Sequence, residues 1–151
     1  MSSMFKSCSE LEYLDLSNFD TSNVTDIKEM FSGCNRLKEI KGLNHFNTTK
    51  VEDMSFMFES CFELECLDLS NFNTINVSNL CYMRSKCIKL KDIKGINYFN
   101  TNSAINMEGL FFSCSKLEYL DLSKVKLNPI PLHKILYQPN FIIIYENIEI
   151  F

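Results

Sequence analysis

The chain has 151 residues and a formal net charge of −4, from 15 Lys and Arg against 19 Asp and Glu. That length supplies one domain, and the acidic balance argues against a nucleic-acid surface, which needs clustered Lys and Arg. The longest apolar candidate, Phe141 to Tyr145, is five residues, far short of a bilayer span.

From its first residues the chain repeats itself. Met4-Phe5-Lys6-Ser7-Cys8 matches Met30-Phe31-Ser32-Gly33-Cys34, and the copies end at Cys8, Cys34, Cys61, Cys87 and Cys114, in steps of 26, 27, 26 and 27 residues. A fixed period of this size marks an array in which one supersecondary unit stacks on the next. The segment MSSMFKSC has no basic stretch followed by an apolar one, so no signal peptide is visible. The chain instead reads as starting inside a repeat, as a piece of a longer array or a copy that has lost its upstream part.

Each copy has two halves. Leu11, Leu14 and Leu16, and later Leu64, Leu67 and Leu69, give the pattern Leu-x-x-Leu-x-Leu, whose alternation predicts a short strand with one buried face. Val24, Ile27, Met30, Phe31 and Cys34 follow at i, i+3, i+6, i+7 and i+10, repeated by Val51, Met54, Met57, Phe58 and Cys61. That spacing predicts a short amphipathic helix, with Asn23 and Asp26 as a capping arrangement. Strands joined through such units run parallel, in one sheet, with the helices on the other side.

The segments LEYLDLSNFDTSNVTDIKEMFSGC and LECLDLSNFNTINVSNL resemble the repeat of the BspA-like leucine-rich-repeat surface proteins, across roughly residues 4 to 123. The resemblance implies an α/β fold. It would be a short leucine-rich-repeat solenoid of about 4–5 coils over residues 1–125, with a parallel β-sheet on one face and short helices on the other. It also implies a binding or adhesive activity at a cell surface or in a secreted protein, although no anchor sequence is visible.

Odd and even copies differ. LDLSNF (Leu14 to Phe19, Leu67 to Phe72) alternates with IKGLNHF (Ile40 to Phe46) and IKGINYF (Ile93 to Phe99), which carry one extra residue and a glycine, Gly42 or Gly95, at an expected bulge or tight bend. The repeating unit is thus a pair of 53 residues. Charge follows the pairing. Glu12, Lys38, Glu65, Lys91 and Glu118 form one column, and Asp15, Lys41, Asp68, Lys94 and Asp121 a second. In strands about 4.8 Å apart, alternation turns repulsion into attraction, on the order of 0.2 to 1 kcal/mol per cross-strand pair, and opposes a shift of register.

One position breaks the core pattern. The column Phe5, Phe31, Phe58, Phe111 has Arg84 in its fourth place. Its side chain is expected either to reach outward over its methylenes or to loosen the copy locally, making residues 80–88 the weakest segment. After Ser123 the repeat stops at Asn128-Pro129-Ile130-Pro131. Leu132 to Tyr137 reads as one helical turn, and Phe141 to Phe151 as a strand. Residues 126–151 are expected to cap the end of the array.

No constellation points to a reaction. The five column cysteines lie one copy apart, unlike clustered zinc ligands, and read as small buried thiols. Cys66 and Cys81 lie outside that column. His45 and His133 are isolated, no Gly-rich phosphate loop occurs, and Ser and Asp recur with the repeat. No catalytic group, metal or cofactor is therefore expected. Asn23-Val24-Thr25, Asn47-Thr48-Thr49 and Asn76-Val77-Ser78 match the glycosylation pattern, but a shared repeat position favours a turn role for Asn23 and Asn76. The candidate site is the outward strand face, where Tyr13, Glu39, Cys66, Asp92 and Tyr119 run beside Asp15, Lys41, Asp68, Lys94 and Asp121. Tyr is a common interface anchor, and the expected partner is a protein or another macromolecule. The rival reading is a self-neutralising solvated face on an intracellular scaffold or array fragment with no specific ligand.

Overall fold

A computed structural model of the chain describes residues 1–125, 132–136 and 142–144. Each Leu-x-x-Leu-x-Leu segment contributes a three-residue strand: β1 Tyr13–Asp15, β2 Glu39–Lys41, β3 Cys66–Asp68, β4 Asp92–Lys94 and β5 Tyr119–Asp121. The middle residues Leu14, Ile40, Leu67, Ile93 and Leu120 pack on the core. Their neighbours point to the opposite face, as the two-residue period of a strand requires.

The strands pair in parallel, but in couples and not as the single sheet expected. β1 pairs with β2, with Tyr13 opposite Glu39, Leu14 opposite Ile40 and Asp15 opposite Lys41. β3 pairs with β4 in the equivalent register. β5 pairs with β6, Ile142–Ile144, from the C-terminal segment. Among the described residues no ladder joins β2 to β3 or β4 to β5. The breaks follow the 53-residue unit. Gly42 and Gly95 take left-handed backbone, φ 77° and 84°, and open short 3₁₀ turns at Leu43–His45 and Ile96–Tyr98. At these glycines each even copy sits tightly against its odd predecessor, Gly42 beside Ser17 and Gly95 beside Ser70.

Contiguity is kept on the other side of the repeat, where the expected helices over residues 24–34 and their equivalents are absent. In their place is a run of successive turns. Two residues per copy adopt left-handed backbone: Ser3, Glu29, Phe56, Tyr82 and Gly109, then Ser7, Gly33, Ser60, Lys86 and Ser113, with φ between +51° and +74°. A right-handed helix cannot hold a left-handed residue every fourth position. The N–H groups alternate between two uses. Met30, Ser32 and Cys34 donate within their own copy to Ile27, Glu29 and Phe31 carbonyls at 3.1–3.2 Å. Glu29, Phe31 and Gly33 donate to Ser55, Met57 and Glu59 of the next copy at 2.8–2.9 Å. The bridges Asp26–Asp53, Asp53–Asn79 and Asn79–Asn106 run alongside.

The core lies between strands and turns and is built as columns. Phe5 stacks on Phe31 and Phe31 on Phe58, with centroids 5.6 and 5.4 Å apart. The thiols of Cys34, Cys61, Cys87 and Cys114 donate to the carbonyls of Phe5, Phe31, Phe58 and Arg84 at 3.0–3.2 Å. Arg84 does not reach outward; its side chain is fully buried in the Phe column. The inter-copy ladder also lacks a rung here. Phe5, Phe31, Phe58 and Phe111 each donate across to Met30, Met57, Met83 and Ile135, whereas no such bond leaves the Arg84 N–H among the described residues.

At the C-terminal end, helix α1, Leu132–Leu136, lies against the fifth copy. Gly109 and Phe111 donate to its Lys134 and Ile135 carbonyls at 2.7 and 3.2 Å, so α1 continues the ladder. The rest of the expected strand over Phe141 to Phe151 lies outside the described residues.

Candidate functional site

The ten residues of the strand face take their positions from the strand register. Tyr13 stands opposite Glu39 and Cys66 opposite Asp92; Asp15 stands opposite Lys41 and Asp68 opposite Lys94. In the last couple Tyr119 and Asp121 face Ile142 and Ile144 of β6, so no strand-paired lysine accompanies Asp121. Tyr13 is 61% exposed and Tyr119 52%. Glu39, Lys41, Cys66, Asp68, Lys94 and Asp15 are also exposed, while Asp92 and Asp121 are half-buried. Surface hollows lie on this face, one lined by Tyr13, Asp15, Glu39 and Lys41 and the next by Tyr13, Lys38, Glu63, Glu65 and Cys66.

The two charge columns behave differently. In the first, Lys38 bonds Glu12 at 2.7 Å and Lys91 bonds Glu65 at 2.8 Å, each holding its partner's carboxyl below the usual range. Arg36 adds bonds to Glu10 and Glu12, and Lys89 bonds Glu63 at 2.6 Å. In the second, the aspartates turn onto their own chain. Asp15, Asp68 and Asp121 accept from the N–H of Ser17, Ser70 and Ser123 at 2.9–3.0 Å. Those serines are the main reason their carboxyls titrate low, ahead of Lys41, Lys94 and Lys124. These are Asx turns that end the strands.

The three candidate glycosylation asparagines tie copies and turns together. Asn23 accepts from Lys50 Nζ at 2.7 Å, Asn76 donates to the Thr49 carbonyl at 2.8 Å, and Asn47 accepts from the Thr49 N–H. Asp26 accepts from the Lys28 N–H at 2.8 Å, closing a turn where a helix cap was expected. Among the described residues no group of three His, Cys, Asp or Glu is placed to hold a metal ion, and no helix is long and apolar enough to cross a membrane. The seven cysteines are unpaired.

Sequence reasoning missed two features. Thr21, Thr48, Thr74 and Thr101 are buried as a column. Thr48 Oγ1 both donates to the Asn73 carbonyl and accepts its N–H, bridging the couples where the strands do not. The recurrence of Thr two places after Phe was the available signal. The second feature is a hollow lined by Asn97, Tyr98, Asn100, Asn102 and Lys124, with Lys124 Nζ 4.9 Å above the Tyr98 ring. Its residues come from two copies: Asn97 and Asn100 repeat Asn44 and Asn47, whereas Tyr98 stands where the earlier even copy has His45.

No curated protein and no solved structure matches the chain. Over residues 1–125, the whole of the repeated region, it matches the family described as Mycoplasma protein of unknown function, DUF285, and the chain belongs to that family.

Proposed function

We propose that the chain is a non-catalytic recognition module, a short leucine-rich-repeat solenoid of the BspA-like kind, which presents its strand face to another protein at a cell surface. The observation that carries this reading is the pair of exposed tyrosines, Tyr13 and Tyr119, on strands whose outward rows are fixed by backbone pairing. Each offers a large amphipathic surface with little conformational freedom to lose on binding. The charges between them are held in a defined pattern, which favours specificity and orientation over raw affinity. The competing reading, a face with no ligand, draws on the neutralisation of Glu12 by Lys38 and of Glu65 by Lys91.

The test is adhesion of the purified chain to intact cells, compared with the Tyr13→Ala/Tyr119→Ala variant. Both side chains are exposed, so the variant retains its thermal midpoint. Loss of adhesion supports the reading. Adhesion indifferent to these substitutions, or absent from the unaltered chain, overturns it.

A further inference from the structure

Arg84 is the largest side chain in the core with no exposure at all. Its guanidinium lies over two phenyl rings, with Cζ 4.7 Å from the Phe111 centroid and 5.6 Å from that of Phe99. Among the described residues Nη2 reaches only the Met83 sulfur, at 3.9 Å, and Nε and Nη1 have no acceptor. Its backbone N–H also makes no inter-copy bond among the described residues.

Ring faces attract the cation but carry no charge to balance it and no lone pair for its N–H groups. Burial pushes Arg84 down to about 10, so it still carries its charge at neutral pH. An interior charge of this kind requires a counter-charge. The described residues supply none. No carboxylate forms an ion pair with Arg84. The nearby thiols of Cys87 and Cys114 donate their hydrogens to the Phe58 and Arg84 carbonyls at 3.1 Å, so both are neutral. A water molecule would satisfy hydrogen bonds and leave the charge in place.

We propose that Arg84 anchors a buried anion site that takes one small, weakly hydrated monovalent anion, of the class of bromide, iodide, nitrate or thiocyanate, on its Nε and Nη1 hydrogens. The choice follows from the surroundings. The anion must shed its water to enter, which disfavours fluoride, sulfate and phosphate. The neighbours of Arg84, namely Met83, Cys87, Cys114 and the two phenyl rings, are polarisable, and among the described residues they supply no second cation. The site is independent of the strand face.

The experiment compares the full chain with Arg84→Met, each unfolded and refolded in the test salt so that the buried site equilibrates. Sodium fluoride is replaced stepwise by sodium bromide at constant ionic strength. With bromide at a hundred times its dissociation constant, the folded-to-unfolded ratio of the unaltered chain rises about a hundredfold. Its thermal midpoint climbs accordingly, while that of Arg84→Met stays level. Equal midpoints in the two salts for the unaltered chain, or an equal bromide effect in both proteins, would overturn the proposal. Should Arg84→Met not fold, bromide anomalous scattering from crystals of the unaltered chain decides. A peak within hydrogen-bonding reach of Nε or Nη1 supports the site, and peaks at the surface only refute it.

Discussion

Gly42 lies against Ser17 so closely that a Cβ on it would fall 2.6 Å from Ser17 Cα; Gly95 repeats the relationship with Ser70 at 2.5 Å. Both glycines also hold φ near +80°. Gly42→Ala therefore meets two penalties, a left-handed backbone that costs about 1 kcal/mol and a backbone clash that must push two copies apart. Gly33 is the control. Its φ is similar, but the nearest atom to a Cβ there is Ser7 Oγ at 3.4 Å. We expect Gly33→Ala to lose about 1 kcal/mol and Gly42→Ala at least about twice that. Urea denaturation of both variants checks the difference; equal losses would mean that the Gly42 contact relaxes freely.

The charge columns give a ranking. Lys38→Glu/Lys91→Glu places carboxylates beside Glu12 and Glu65, at sites now bonded at 2.7 and 2.8 Å. Lys41→Glu/Lys94→Glu faces aspartates already turned onto Ser17 and Ser70. The first variant is expected to lose more stability at low salt, and to recover it as salt screens the repulsion. Thermal midpoints at two ionic strengths test the order.

Acid sensitivity follows from the same turns. The carboxyls of Asp15, Asp68 and Asp121 are held below the usual 3.8 by the Ser17, Ser70 and Ser123 hydrogen bonds. A folded-state value below the unfolded one gives stability that is fully present above the unfolded value and is lost as pH falls through the folded value. Stability should thus be flat near neutrality and fall below about pH 4. Asp68→Asn keeps an acceptor for the Ser70 N–H without the titration. Its midpoint should fall less between pH 5 and pH 2 than that of the unaltered chain; identical acid profiles would remove Asp68 from the explanation.

How far the sequence could be read depended on which signal was periodic. Leu14 and Leu16 located β1, and the alternation of Asp15 with Lys41 matched its register, because a strand has a two-residue period unlike any competitor. The spacing Val24, Ile27, Met30, Phe31, Cys34 could not separate a helix from stacked turns, since both bury a residue every three or four positions. The deciding fact was the left-handed backbone at Glu29 and Phe56, which neither residue type advertises. The interruption between β2 and β3 was half legible, as the extra residue beside Gly42. The register of the strand-face columns was legible because those columns repeat. The Tyr98 hollow was not, because Tyr98 and Lys124 stand where the other copies carry His45 and Asn71.

The thiols report on the weakest part of the repeat. Cys8 and Cys66 are exposed, whereas Cys34, Cys61, Cys81, Cys87 and Cys114 are buried. Burial pushes the Cys34 and Cys114 thiols up to about 11 and raises those of Cys61 and Cys87 well above the ordinary thiol range. A reagent that attacks thiolates should therefore modify Cys8 and Cys66 at once, and the others only as the protein opens. Cys61 and Cys87 make the informative pair. Both have no exposure, and both donate to a carbonyl at 3.1–3.2 Å. They differ in what holds their copies. Phe31 and Phe58 carry full rungs on either side of Cys61, while the rung at Arg84, beside Cys87, is missing and the Cys87 N–H to Arg84 carbonyl bond stretches to 3.5 Å. Pulse alkylation read by peptide mass spectrometry should label Cys87 before Cys61, by about tenfold if the missing rung lowers the opening energy by about 1.4 kcal/mol. Equal labelling would show that the Arg84 copy is held as firmly as its neighbours and that the contacts of its guanidinium with the Phe99 and Phe111 rings replace the lost hydrogen bond.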